Sequence, residues 1–331
     1  MIEGPFIWGM FMQLGRRMWR SPADLFNGEY HSDKDGYVHK QDLAHLKDWK
    51  HLQYDEASWR QCTDMMPDCG CNMAVIDIGE ALRFPSHPEL AAEDAWSPER
   101  MADEVARLKK IGVEAIPKLN FSTCHDAWLY PYDHMVSTPE YYRVCADVIR
   151  DTAEIFGKPR FFHIGMDEEC THVQRHQVYA VVRQGELFWH DLGFLIDSVK
   201  ATGCRAWMWT SFLDHAATIE EYMRRVPKDV VQSSAYYGNE FDLAKLGEYD
   251  LNCLTAPLKL AEAGYDVIQA GGDCRKDDNF EGLARFYRDK AHLLRGLWTC
   301  SWRPFIPMVN DYNVRSLEQM KRAKAIWEGR T

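Results

Sequence analysis

The chain has 331 residues, 46% of them hydrophobic and 27% charged, with a formal net charge of −11. It can bury a large core, and its acidity argues against nucleic acid or an anionic membrane surface as a partner. No apolar run reaches the roughly 18 residues that a membrane-spanning helix needs.

Strand-like apolar runs alternate with amphipathic helical segments along the whole chain. The first run is Phe6 to Leu14, followed by a long loop around 20–54 and a helix near Asp55 to Met66. The second is Met73 to Gly79, with a helix near Pro98 to Ile111 that opens on Ser97 as N-cap and Pro98 at the first helical position. Val113 to Phe121 is the third, with a helix near Pro139 to Phe156; Phe161 to Met166 is the fourth, with a helix near Arg183 to Thr202. Then come Arg205 to Phe212 with a short helix near Ile219 to Val226, and Val230 to Tyr237 with a weak helix near Ala256 to Ala263. Asp266 to Ala270 with a helix near Phe280 to Leu293, and Leu297 to Trp302 with a closing helix near Val314 to Trp327, complete the series. Eight strand–helix pairs without a linker predict one α/β domain over 1–331, a (β/α)8 TIM barrel. An open doubly wound sheet is the rival, and it would usually carry a glycine-rich phosphate turn that this chain lacks.

In such barrels the chemistry sits where strands pass into the following loops. The polar and aromatic residues at those points are Arg16, Arg17, Asp77, Glu80, Asn120, His125, Asp126, Asp167, Glu168, Glu169, Trp209, Asp214, Tyr236, Tyr237, Asp273, Trp302 and Arg303. Asp167-Glu168-Glu169 is the sharpest feature, because three consecutive carboxylates after a buried strand are costly unless solvated, paired or used. Crowded like charges raise one pKa, which suits a general acid for a poor leaving group such as a sugar oxygen. A solvated acidic loop at a helix start is the plainer alternative. Twelve tryptophans and fifteen tyrosines fit either sugar stacking or simple core filling.

The strand ends resemble glycoside hydrolase family 20, the β-N-acetylhexosaminidases, along most of the chain. His163-Ile164-Gly165-Met166-Asp167-Glu168 is similar to that family's His-Ile/Leu-Gly-Gly-Asp-Glu, and Gly9 to Arg16 follows its Gly-Phe-Met-Leu-Asp-x-x-Arg spacing. Asn72 to Arg83, Trp96-Ser97-Pro98-Glu99, Gly112 to Pro117 and His125 look like its second and third units. The resemblance implies Glu168 as general acid/base and Asp167 as the group that orients the substrate's own 2-acetamido nucleophile, the substrate-assisted exception among retaining glycosidases. It further implies that Arg16 holds sugar hydroxyls, that His125 lines the pocket or tunes Glu168, and that Trp209 and Trp302 wall the sugar ring; the strand-end residues Asp77, Tyr236, Tyr237 and Arg303 are also expected to contact the substrate. A carbohydrate is the expected partner, and no cofactor or metal is expected. Gln13, Met166, Thr210-Ser211, Ser233-Ser234 and Arg303 depart from the family pattern, and the family's small N-terminal domain is missing. A Glu-to-Arg change at the far wall would suit an anionic or differently substituted sugar. The other readings are a related barrel acting on a sugar without the acetamido group and a silent carbohydrate-binding barrel.

Weaker signals take plainer readings. His31 to Gly36 has an EF-hand-like look, but its first ligand position is His rather than Asp and its twelfth is Asp42 rather than Glu, so a polar loop is expected. His172 and His176 have metal-ligand spacing without the accompanying Glu, and a solvated helix face fits better. The ten cysteines are scattered, and Cys69-Gly70-Cys71 is too tight for a common zinc hook, so reduced thiols are expected. No basic-then-apolar segment opens the chain, which suits a cytoplasmic protein or one whose leader was removed. A homodimer is a candidate assembly, since two-fold pairing is common among enzymes of this size.

Overall fold

Each apolar run becomes a strand, and each amphipathic segment a helix, in a computed structural model that describes residues 2–18, 50–171, 174, 180–210, 216–272 and 278–330. The strands are β1 (Ile7–Gln13), β2 (Met73–Asp77), β3 (Glu114–Lys118), β4 (Phe161–His163), β5 (Arg205–Trp209), β6 (Val231–Ser233), β7 (Ile268–Gly271) and β8 (Gly296–Thr299). The helices are α1 (Glu56–Cys69), α2 (Pro98–Lys110), α3 (Pro139–Ile155), α4 (Glu186–Ala201), α5 (Ile219–Arg225), α6 (Glu248–Glu262), α7 (Asn279–Arg288) and α8 (Asn310–Trp327). All strand pairs are parallel, in the order β6-β5-β4-β3-β2-β1-β8-β7. Bridges Gln232–Val267 and Ala235–Ala270 join β6 to β7 and close the barrel.

Alternation along the strands separates two apolar layers. Ile7, Phe11, Met73, Val75, Ile116, Phe161, Trp207, Trp209, Val231, Ile268 and Trp298 fill the barrel, while the larger layer lies between strands and helices. Much of the tryptophan excess is spent inside. Trp207, Trp209 and Trp298 surround His163 at centroid distances of 5.1, 5.3 and 5.6 Å, and Trp209 stacks on Trp298 at 4.8 Å. Gly9 makes the room: a Cβ there would stand 2.9 Å from the Cβ of Trp298.

The helix starts follow local chemistry. Ser97 accepts from the Arg100 amide at the head of α2, Thr138 from the Tyr141 amide at α3, and Asp55 from the Ser58 amide at α1. The differences from the sequence reading have physical causes. Strands β3, β4, β5, β6 and β8 stop three or four residues before the apolar runs do, and at β4 the cause is a left-handed turn that begins at Gly165. Helix α6 begins at Glu248, eight residues before the expected Ala256, and runs through Pro257, whose missing N–H obscures the pattern. Helix α4 starts at Glu186 rather than Arg183, which is drawn into an ion network. Most of the loop at 20–54, with His31 to Gly36, lies outside the described residues, as do His172, His176, Asp214 and Asp273. No described helix is long and apolar enough to cross a membrane.

Trp298→Ala removes the largest side chain from the barrel centre and is expected to cost about 3–5 kcal/mol, read as a lower urea midpoint at unchanged slope. A change below about 1 kcal/mol would mean that the interior collapses onto the gap.

Candidate active site

The strand that carries the acids ends at His163, and the chain then turns left-handed: φ is 72° at Gly165, 67° at Met166 and 54° at Glu168. Non-glycine residues rarely adopt this conformation, at about 1–3 kcal/mol each, unless their surroundings enforce it. Asn120, just past β3, does so here. Its Oδ1 accepts from the Met166 amide at 3.2 Å and the Ser122 amide at 3.1 Å, and its Nδ2 donates to Asp167 Oδ1 at 2.8 Å. Gly165 is required twice over, for its φ and because a Cβ would lie 1.9 Å from Asn120 Oδ1.

Neighbouring side chains in a regular strand face opposite ways, so this turn is what lets Asp167 and Glu168 share a pocket. His125 lies between them, with Nδ1 3.4 Å from Asp167 Oδ1 and Nε2 3.6 Å from Glu168 Oε2. The histidine is buried, Asp167 is 18% exposed and Glu168 is 48% exposed, so the two acids differ in access to a substrate. Burial alone would raise the Asp167 carboxyl, but His125, Lys118 and Asn120 outweigh it and hold it well below the usual range. Burial would likewise lower His125, yet Asp167 and Glu168 raise it above the ordinary imidazole value.

The third acid has another task. Glu169 is buried and receives Arg183 Nη1 at 2.7 Å, with the Thr123 and Arg183 amides at 3.2 and 2.9 Å. Arg183 also holds Asp191 at 2.7 Å and the Tyr141 hydroxyl at 2.8 Å. This network anchors the loop after β4 to α3 and α4.

The remaining site candidates divide between the pocket and the frame. Trp302 (φ 54°) packs on Phe11 at 4.5 Å and lies 6.1 Å from Trp209, and its Nε1 donates to the Tyr237 hydroxyl at 2.8 Å. Arg16 donates through Nη1 to Gln13 Oε1 at 2.5 Å and to the Trp302 carbonyl at 3.4 Å, and Arg303 Nη1 reaches that carbonyl at 3.2 Å. Glu80 holds the backbone beneath them, accepting from the amides of Arg16 and Arg17. Asp77 was expected on the pocket wall; it is buried and paired with Lys118 Nζ at 2.7 Å, because an interior lysine demands a counter-charge. Tyr236 was expected there too; it lies in the outer layer, its hydroxyl donating to the Glu240 carbonyl, because alternation turns it away from its neighbour Tyr237.

Sequence reasoning did not single out Lys118, Arg183 or the bracing role of Asn120. Lys118 carried a signal, a lone lysine at an inward position of an apolar strand. His163 is structural: its Nδ1 accepts from the Gly165 amide at 3.0 Å, which leaves the proton on Nε2, and burial then Lys118 hold its pKa far below the ordinary value. His125, Asp167 and Glu168 offer ligand atoms within 4.8 Å of one another, the one group among the described residues whose spacing would also suit a divalent cation.

Two measurements probe this frame. Arg183→Met leaves Glu169 and Asp191 buried without their cation and is expected to cost about 3–5 kcal/mol, seen as a large drop in thermal midpoint; a drop equivalent to under about 1 kcal/mol would refute the anchoring role. The stability that His125 gains from its raised pKa is complete below about pH 6.5 and is lost as the pH rises through the folded value. Urea midpoints of the wild type are therefore expected to fall on that alkaline side, and His125→Gln to lack the fall; parallel profiles would remove the ion pair from the account.

No family model matches the chain, and no curated protein matches it in sequence. Solved structures do. The exo-β-N-acetylglucosaminidase of Vibrio harveyi, solved with N-acetylglucosamine, is 14% identical with a TM-score of 0.60 over 96% of this chain and 54% of that one. The β-N-acetylhexosaminidase of Bacteroides fragilis is 12% identical with a TM-score of 0.63, over 96% of this chain and 65% of that one. For the N-acetyl-β-hexosaminidase of Streptomyces plicatus the values are 13% and 0.59, over 83% and 61%. The chain thus spans between half and two thirds of the length of these proteins. At such identity the likeness is one of fold, and the fold is the barrel of the family 20 β-N-acetylhexosaminidases, the family its strand-end motifs resemble.

Proposed function

We propose that the protein is a retaining glycoside hydrolase that removes terminal 2-acetamido sugars by substrate assistance, the barrel itself serving as the catalytic unit. The observation that carries this reading is the left-handed turn after β4, which presents Asp167 and Glu168 together on either side of His125. Glu168, the more exposed of the two, gives its proton to the glycosidic oxygen as the bond to the anomeric carbon breaks. The acetamido oxygen of the substrate attacks that carbon and closes an oxazoline ring. Asp167, held ionised, accepts the acetamido N–H and balances the positive charge that spreads over the ring. Water then opens the oxazoline, its proton passing to the Glu168 carboxylate, so the anomer is retained. His125 keeps Asp167 charged and fixes its position relative to Glu168. Arg16 and the indole of Trp302 form the opposite wall, where a planar donor fork and an aromatic face suit a sugar ring.

The test is release of a chromogenic aglycone from paired aryl β-glycosides with and without the 2-acetamido group. Turnover is expected only with the acetamido sugar, falling about 10²–10⁴-fold in Glu168→Gln. Turnover of both sugars would favour a related barrel with Asp167 as nucleophile or base, and sugar binding without turnover would favour a silent binding barrel. The spacing of His125, Asp167 and Glu168 gives a second reading, a metal centre. Dialysis against a chelator is expected to leave turnover intact, and loss restored by a divalent cation would transfer the site to metal chemistry.

A further inference from the structure

We infer that the wall built by the end of β8 is an anion subsite, in which Arg303 receives an oxyanion substituent of the sugar, a sulfate ester or a carboxylate. The inference rests on the glycosidase reading above and names the class of sugar it would take.

Arg303 is 1% exposed, yet among the described residues it has no ion-pair partner. Its Nη1 donates to the Trp302 carbonyl at 3.2 Å, and its guanidinium lies 4.9 Å from the centroid of the Tyr312 ring. Nε and Nη2 are buried and have no hydrogen-bond partner. These two nitrogens form the side-on edge of the guanidinium, whose parallel N–H groups match the paired oxygens of a carboxylate or sulfate. A guanidinium cannot shed its proton to escape burial, and an aromatic face offsets only part of the desolvation cost. The position therefore calls for an anion on that edge.

The surroundings agree with this. Arg16 Nη1 approaches the same Trp302 carbonyl at 3.4 Å, and Arg315 lies 4.5 Å from the centroid of the same Tyr312 ring. Three arginines thus gather at one corner of a chain whose net charge is −11, and they do so next to Trp302, an aromatic of the pocket. In the strand order β8 lies across the barrel from β4, which carries the acids.

The experiment is calorimetric binding of three monosaccharides to the wild type: a neutral N-acetylated sugar, its 6-O-sulfate, and the matching uronic acid. At least one anionic sugar is expected to bind about tenfold or more tighter than the neutral one, and which of them wins separates sulfate from carboxylate. In Arg303→Gln the preference is expected to fall to about twofold or less, and Arg303→Lys, a point charge without the fork, to keep part of it. Equal binding of all three, no binding of any, or a preference that survives Arg303→Gln overturns the subsite. If the Gln variant does not fold, the wild-type preference and the Lys variant decide. Anion preference without turnover of any aryl glycoside would sink the hydrolase reading and leave the subsite standing.

Discussion

The geometry of the site hangs on the grip of Asn120 on the turn after β4. One side-chain amide accepts from Met166, donates to Asp167 and occupies the space that a Cβ on Gly165 would need. Without that grip, two left-handed non-glycine residues would have no reason to persist. With it, a stretch of three acids is sorted by direction, so that Asp167 and Glu168 enter the mouth while Glu169 enters the Arg183 network. Three charges adjacent in sequence are thus sent to two different surroundings.

Electrostatics then divides the labour between the two pocket acids. Asp167 is hemmed in by His125, Asn120 and the field of Lys118, and it stays charged. Lys118 in turn is kept in the barrel by Asp77. This makes the interior polar pair part of the site without contact with the mouth. Its cost is desolvation, and its lysine end favours the ionised form of Asp167.

The barrel was legible because eight apolar runs in alternation with amphipathic segments admit few closed arrangements. The acids were legible because Asp167-Glu168 follows a buried strand within a motif that resembles a known family. Strand ends were not legible: the residues of 164–166 are as apolar as a strand, and only the left-handed turn shows that the sheet has stopped at His163. Tyr236 and Tyr237 illustrate the same limit, since both lie past the end of β6 at Ser233 and nothing in the local sequence tells which ring faces inward. Asp77 stands at a strand end in the sequence, but its partner Lys118 lies 41 residues away, and no local pattern joins them.

The strand order has a consequence for how such a barrel can change. The acids and their supports come from β3 and β4, whereas Arg16, Trp302 and Arg303 come from the ends of β1 and β8, on the far side of the ring. The turn that carries the paired acids and the wall that carries the arginines thus lie in different halves of one closed sheet, with tryptophans packed between them. If the acids act as proposed, substitution along the β8–β1 edge would alter which sugar fits while Asn120 goes on bracing the turn after β4.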